Sequence, residues 1–193
     1  PGSSVDRDGV TNTFAYDALK RLSAVSRLGI TTSNIFDAAD RLICQTRTGT
    51  SGSSITLRTL GYDAAGRLLR ETNALGAVTR YAYFADTNNQ SVTVTTNADQ
   101  GIKIETRFRD GNLASVMGTA TFPLRYAYGT VSDGGAVRAF TKEIKLDANG
   151  TDTLESSQML TDGAGRNYKI IFADSAALES FFDRKGRLWK KVD

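Results

Sequence analysis

Tyr62-Asp63-Ala64-Ala65-Gly66-Arg67-Leu68-Leu69-Arg70-Glu71-Thr72-Asn73-Ala74-Leu75-Gly76-Ala77-Val78-Thr79-Arg80-Tyr81-Ala82-Tyr83 decides how the rest of this 193-residue chain is read. Two Asx-x-x-Gly tetrads, Asp63 to Gly66 and Asn73 to Gly76, bracket a short segment of alternating polarity. An Asp or Asn at the first position of such a tetrad accepts hydrogen bonds from backbone N–H groups two residues on, and the Gly takes the left-handed conformation without a steric penalty. Each tetrad therefore predicts a tight turn between two strands. The aromatic residue before the first turn and the Arg-Leu after it mark the strand ends.

The same aromatic-Asp-x-x-Gly-Arg-Leu pattern returns elsewhere, and a fixed period is the mark of a repeat architecture. Phe14-Ala15-Tyr16-Asp17-Ala18-Leu19-Lys20-Arg21-Leu22 and Asn34-Ile35-Phe36-Asp37-Ala38-Ala39-Asp40-Arg41-Leu42 precede it, and Phe181-Phe182-Asp183-Arg184-Lys185-Gly186-Arg187-Leu188 follows. Thr161-Asp162-Gly163-Ala164-Gly165-Arg166 is a weaker copy. Asp17 and Asp37 are 20 residues apart, Asp37 and Asp63 are 26, and Asp162 and Asp183 are 21. Lys20 and Asp40 stand where the pattern wants Gly, at a cost of roughly 1 kcal/mol each for the left-handed backbone. Asp147-Ala148-Asn149-Gly150, like Asn73 to Gly76, predicts a turn at the opposite ends of the strands.

Between the turns, Val78-Thr79-Arg80-Tyr81-Ala82-Tyr83, Ser91-Val92-Thr93-Val94-Thr95-Thr96 and Ile102-Lys103-Ile104-Glu105-Thr106-Arg107-Phe108 are β-branched, aromatic and alternating, as strands are. A lone hairpin of about 20 residues is marginal in water, so neighbouring hairpins must pair. The expected fold is all-β, an array of antiparallel β-hairpins stacked into a curled, shell-like or spiral sheet. Residues 1–128 are expected to form the regular array and residues 129–193 a less regular continuation. Ser175 to Phe182 is the one helical candidate, and its place in the repeat predicts strand. Gly49 to Ser54 and Gly129 to Gly135 are expected to be flexible loops.

The repeated signature resembles the tyrosine-aspartate (YD) repeats of the RHS family, well over residues 6–84 and loosely over 140–193. The resemblance implies a piece of a large secreted or surface protein of bacteria, with relatives among animal cell-adhesion receptors, whose repeats spiral into a hollow β-shell. Such shells often enclose a C-terminal toxin released by aspartyl self-cleavage at a core motif containing Asp-Pro. No Asp-Pro occurs in this sequence, so neither the cleavage element nor a toxin domain is expected in this piece. The Pro1-Gly2-Ser3-Ser4 start, without Met, also reads as that of a fragment.

Composition narrows the function. The chain has no histidine, which removes triads that need it and the commonest metal ligand. Cys44 is the only cysteine, so neither an intrachain disulfide nor a cysteine-rich metal site is expected, and it reads as a small packed residue. The net charge of +3 comes from scattered Lys and Arg, which does not imply nucleic acid. No stretch approaches the roughly 18 consecutive apolar residues of a membrane span.

The remaining motifs read as turns. Gly163-Ala164-Gly165-Arg166-Asn167-Tyr168 lacks the third Gly and the strand-helix context of a dinucleotide fingerprint. Asp6-Arg7-Asp8-Gly9 and Asp86-Thr87-Asn88-Asn89 lack the closing Glu of a calcium loop. Paired carboxylates could run glycoside hydrolysis without histidine, but the conspicuous Asp residues already serve turns. Neither an enzyme, nor a catalytic, cofactor or metal site, nor a cofactor is expected.

Arg21, Arg41, Arg67, Arg166 and Arg187 read either as partners of carboxylates and covers of the next hairpin or as a basic ladder for acidic glycans. Tyr16, Tyr62, Tyr81, Tyr83, Phe182 and Trp189 read as packing residues or as sugar platforms. The expected function is a structural segment of a shell that encloses or displays a toxin cargo, and the alternative is a carbohydrate or cell-surface adhesion module. Expected partners are neighbouring repeats, an enclosed toxin domain or surface glycans, with self-association through open sheet edges. The expected location is secreted or on the bacterial cell surface.

Overall fold

The structure, a computed structural model, describes residues 2–193. Every regular element in them is a strand. In order these are β1 (Gly2–Val5), β2 (Thr11–Tyr16), β3 (Leu22–Arg27), β4 (Ile30–Phe36), β5 (Leu42–Thr48), β6 (Ser54–Tyr62), β7 (Leu68–Asn73), β8 (Val78–Ala85) and β9 (Ser91–Thr96). They continue as β10 (Ile102–Arg107), β11 (Leu113–Met117), β12 (Leu124–Asp133), β13 (Ala136–Leu146), β14 (Asp152–Thr161), β15 (Asn167–Phe172), β16 (Ala177–Phe182) and β17 (Leu188–Val192). The all-β array of antiparallel hairpins expected from the repeats is the fold.

The chain divides into two compact units, one running to Ala82 with Thr95–Gln100, the other comprising Tyr83–Val94 and Gly101–Asp193. In the first, β1 to β8 form an antiparallel meander in which each strand pairs with the next. In the second, β10 to β17 do the same. Meanders arise here because the tetrad turns are too short for anything but a hairpin return.

One turn shape serves most connections. In the Asp17 turn the Asp17 N–H donates to the Arg21 carbonyl at 2.9 Å and the Lys20 N–H to the Asp17 carbonyl at 3.0 Å. The residue three after the Asp is left-handed whatever its identity, with φ of 64° at Lys20, 63° at Asp40 and 82° at Gly66. Hydrogen bonds made around that residue hold Lys and Asp where Gly is the easy choice. Asn73 to Gly76 and Asp147 to Gly150 close the opposite strand ends in the same way.

A one-residue bulge accompanies each of the five aspartate-arginine turns, at Ala15/Tyr16, Ile35/Phe36, Gly61/Tyr62, Leu160/Thr161 and Phe181/Phe182. The turn binds Arg in place while the ladder resumes one residue late, which sharpens the local twist. Ser175 to Phe182 folds into β16, with Ser175 in the turn before it at φ 70°.

Gly129 to Gly135 departs from the expected loop. Its first five residues extend β12, which pairs with β13 without a break from Leu124↔Lys145 to Asp133↔Ala136. Only Gly134 and Gly135 turn the chain, with φ of 57° and 77°, the two positive values that suit the twist of a two-residue hairpin loop.

The described buried apolar side chains are Val92, Ala114, Val116, Ile144 and Leu160. This core is thin because a meander covers little of either face of its own sheet. Pairing along the strands and contacts between successive turns therefore carry much of the order.

Candidate functional site

The five aspartate-arginine turns all follow even-numbered strands, so within each unit they line one edge. In the first unit Asp17, Asp37 and Asp63 stand in a row; in the second, Asp162 and Asp183 do. Consecutive turns are two strands apart, roughly 9.5 Å. Arg21, Arg41 and Arg166 each look both back and forward.

The backward contact closes the turn itself. Asp17 Oδ1 accepts the N–H groups of Leu19 at 2.9 Å and Arg21 at 3.0 Å, while Oδ2 accepts Arg21 Nε at 2.7 Å. Asp37 with Arg41, Asp162 with Arg166 and Asp183 with Arg187 repeat the pattern. In the Asp63 turn, Oδ1 accepts the Arg67 N–H at 2.8 Å and Oδ2 accepts Arg67 Nε at 2.7 Å. The carboxyls of Asp17, Asp37, Asp63 and Asp183 are held below the usual aspartate range, chiefly by the backbone N–H of the arginine. That of Asp162 is lowered chiefly by the Arg166 side chain. N–H donors stabilise the ionised acceptor more than the neutral one, which gives this direction.

The forward contact joins one repeat to the next. Arg41 donates through a terminal nitrogen to the Asp63 carbonyl at 2.9 Å, and its guanidinium lies 4.9 Å from the Tyr62 ring centre. Arg21 donates to the Asp37 carbonyl at 3.1 Å and stacks 4.8 Å from the Phe36 ring centre. In the second unit Arg166 stacks over Phe182 at 4.6 Å. A planar, always charged guanidinium can fork to a carboxylate while its face lies on a ring, which an ammonium cannot do. The Tyr62 hydroxyl returns the contact by donating to the Leu42 carbonyl at 2.9 Å.

Asp40 now has a reason to replace Gly. Arg21 donates to Asp40 Oδ1 at 2.5 Å, so the left-handed aspartate adds a carboxylate to the forward contact. Where Gly66 and Gly186 keep that place, the arginine of the previous repeat passes close by, 3.9 Å and 3.6 Å from where a Cβ would stand. The motif glycine thus serves the neighbouring repeat as well as its own turn.

The aromatic residues divide by position. Phe36, Tyr62 and Phe182 are ladder rings. Tyr16 and Trp189 are exposed at 53% and 65%, and Phe181 meets Trp189 edge to face at 6.2 Å. Cys44 is free and half-buried. Asp6 and Asp86 accept backbone N–H groups within their own turns, and Asp6 pairs with Arg27 at 2.6 Å. Among the described residues no three His, Cys, Asp or Glu side chains gather as metal ligands. In the second unit a concavity of about 540 Å³ is lined by Glu143, Lys145, Glu155, Ser157, Phe172 and Asp174. Glu143 there accepts the Tyr126 hydroxyl at 3.1 Å, and Glu155 accepts Lys145 Nζ at 2.5 Å.

Pattern reading found the members of the ladder and the arginine's cover of the next hairpin, but not the ring and carbonyl it reaches there. The available signal was an aromatic placed 15, 21 and 16 residues after Arg21, Arg41 and Arg166.

Turns of one shape, linked edgewise by arginine, define an antiparallel hairpin-repeat protein. The RHS Repeat family model matches residues 62–101. No curated protein matches it. Among solved structures, TcdB2-TccC3 without its hypervariable C-terminal region is similar with a TM-score of 0.61 at 17% identity, over 95% of this chain and 10% of that one. TcdB2-TccC3-Cdc42 is similar with a TM-score of 0.55 at 16% identity, over 95% of this chain and 10% of that one. A Tc holotoxin pore of Photorhabdus luminescens with a substituted TccC3 is similar at 0.51 and 16%, over 96% and 12%. These likenesses share the fold, and the chain spans about a tenth of the length of those it matches.

Proposed function

We propose that the chain is a non-catalytic wall segment of a larger secreted RHS-repeat protein, in which stacked hairpins build a shell that encloses or displays a cargo domain. The observation that carries this reading is the forward reach of the arginines: their groups are spent on the next repeat, which suits a wall. The likeness to parts of TcdB2-TccC3 assemblies supports it. Residues 1–128 and 129–193 are then two stretches of one array, and the partners are neighbouring repeats and the enclosed domain. The test is limited proteolysis of the parent protein. A cargo domain that resists protease until Arg21, Arg41 and Arg166 are replaced by Met supports the wall, and a cargo cut at the same rate in both forms overturns it.

A second reading, adhesion to surface glycans, rests on the exposed Trp189 and Tyr16, since exposed aromatic faces stack on sugars. Glycan-array binding that disappears with Trp189→Ala supports it, and a blank array over acidic and neutral glycans counts against it. Self-association of this fragment through β17, exposed at each of its five residues, belongs to the same proposal because unpaired edges recruit strands.

A further inference from the structure

The β12–β13 hairpin outruns the strands on either side of it. Its strands have 10 and 11 residues; β11 beside it has five, and β14, with 10, ends at Thr161 opposite Ala139. Pairing of β13 with β14 begins only at Ala139↔Thr161, so Thr130 to Arg138 projects past the end of its neighbour. Continued straight, β12 would carry Asp133 roughly 13 Å beyond Gly129 and leave it about three strands, roughly 14 Å, to the side of β15. Yet Asp133 Oδ2 accepts the Tyr168 hydroxyl at 2.7 Å and Oδ1 accepts Lys169 Nζ at 3.0 Å. The hairpin must bend across β13 and β14 to reach them.

The bend has a place to occur. Gly129 faces Phe140 across the ladder, and a Cβ there would meet the Phe140 ring at 2.9 Å. A glycine against an aromatic ring within a strand is a weak, close-packed point in the ladder. Phe140, Leu160 and Lys169 are successive cross-strand partners on the face the hairpin crosses. Leu160, at 1% exposure, is the one fully buried side chain among the described residues.

The closed arrangement is held by few groups and opposed by one. Besides the Asp133 contacts, the Arg138 guanidinium lies 5.4 Å from the Tyr168 ring centre. Arg138 Nε is buried there without a hydrogen-bond partner, and a buried unsatisfied donor penalises the state that buries it. Lys169 also holds Glu179 at 2.9 Å, so it keeps a carboxylate when Asp133 leaves. The tip glycines, Gly134 and Gly135, have open space around them.

We propose that Thr130 to Arg138 is a hinged flap that pivots at Gly129, is latched by Asp133 on Tyr168 and Lys169, and opens without unfolding the sheet to uncover the face bearing Phe140 and Leu160. Hydrogen–deuterium exchange on the intact chain tests it. Amides of Thr130 to Arg138 should exchange at least tenfold faster than those of Phe140 to Ile144. Asp133→Asn should accelerate the flap a further fivefold or more and speed tryptic cleavage after Arg138, leaving residues 139–161 unchanged. Lys169→Met should reproduce that pattern. Flap amides that exchange in step with residues 139–161 in the unaltered chain would overturn the proposal whatever the variants do. So would variants that leave the flap unchanged or speed the whole sheet equally.

Discussion

Replacing Arg41 by Met keeps an apolar stem of similar reach and deletes the guanidinium that joins two repeats. Two losses can be sized from the geometry. The hydrogen bond to the Asp63 carbonyl at 2.9 Å is worth about 1 kcal/mol net. The stack on Tyr62 at 4.9 Å is worth about 0.5–1 kcal/mol at a partly exposed site. The ion pair with Asp37 lies at the surface, with side chains 30% and 21% exposed, and is left out because exposed pairs contribute little. The expected loss is about 1.5–2 kcal/mol, or roughly 3–8 °C in thermal midpoint for a chain of this size.

A double-mutant cycle with Tyr62→Leu separates the inter-repeat part. The two substitutions share one contact, so the coupling should be about 0.5–1 kcal/mol. Circular dichroism during heat and denaturant unfolding reads all four proteins. A coupling within about 0.3 kcal/mol of zero, the scatter of independent sites, would show that the arginine and the ring merely lie together, and the ladder would lose its role.

Lys20→Gly should stabilise the chain by about 0.5–1 kcal/mol, because Lys20 sits at φ 64° where a Cβ is penalised and glycine is not; an unchanged or lowered denaturation midpoint would contradict the assignment of strain. Tyr126 has its pKa pushed up to about 12, first by burial and then by the Glu143 carboxylate it donates to. The fold therefore favours the neutral phenol, a contribution fully present below the ordinary tyrosine range near pH 10 and lost as pH rises through about 12. Burial also raises Tyr128 and Tyr168, so near-ultraviolet titration should show a late-ionising group of tyrosines, of which Tyr126 is shifted down by Glu143→Gln.

The turns were the legible part of the sequence, because an Asx at one position and a residue tolerant of positive φ three later act locally. The strands followed from alternation between turns, and Ser175 to Phe182 was resolved by its place in the repeat. Two details escaped, the strand character of Gly129 to Gly135 and the particular atoms of the next hairpin that the arginines reach. Gly129 to Gly135 looks like a loop by composition, but its strand character comes from continuous pairing with Ala136 to Phe140, which composition does not encode. The forward contact of Arg21 and Arg41 depends on the two-strand offset between turns. A period in the sequence says that units recur, and only the register says which atom of the next unit is in reach.

Every resolved rung of the ladder runs the same way along the chain, from Arg21 to residues 36 and 37, from Arg41 to 62 and 63, and from Arg166 to 182. The array thus has a polarity, like a ratchet whose pawl is set one tooth ahead. During synthesis a hairpin can close its own turn at once, but it is fastened forward only when the following ring and carbonyl emerge. At about 5–20 residues per second, with 20 to 26 residues between the motif aspartates of the first unit, one rung is set every one to five seconds or so. Assembly becomes vectorial, each unit waiting for its successor, and the growing end is always the least secured part of the wall.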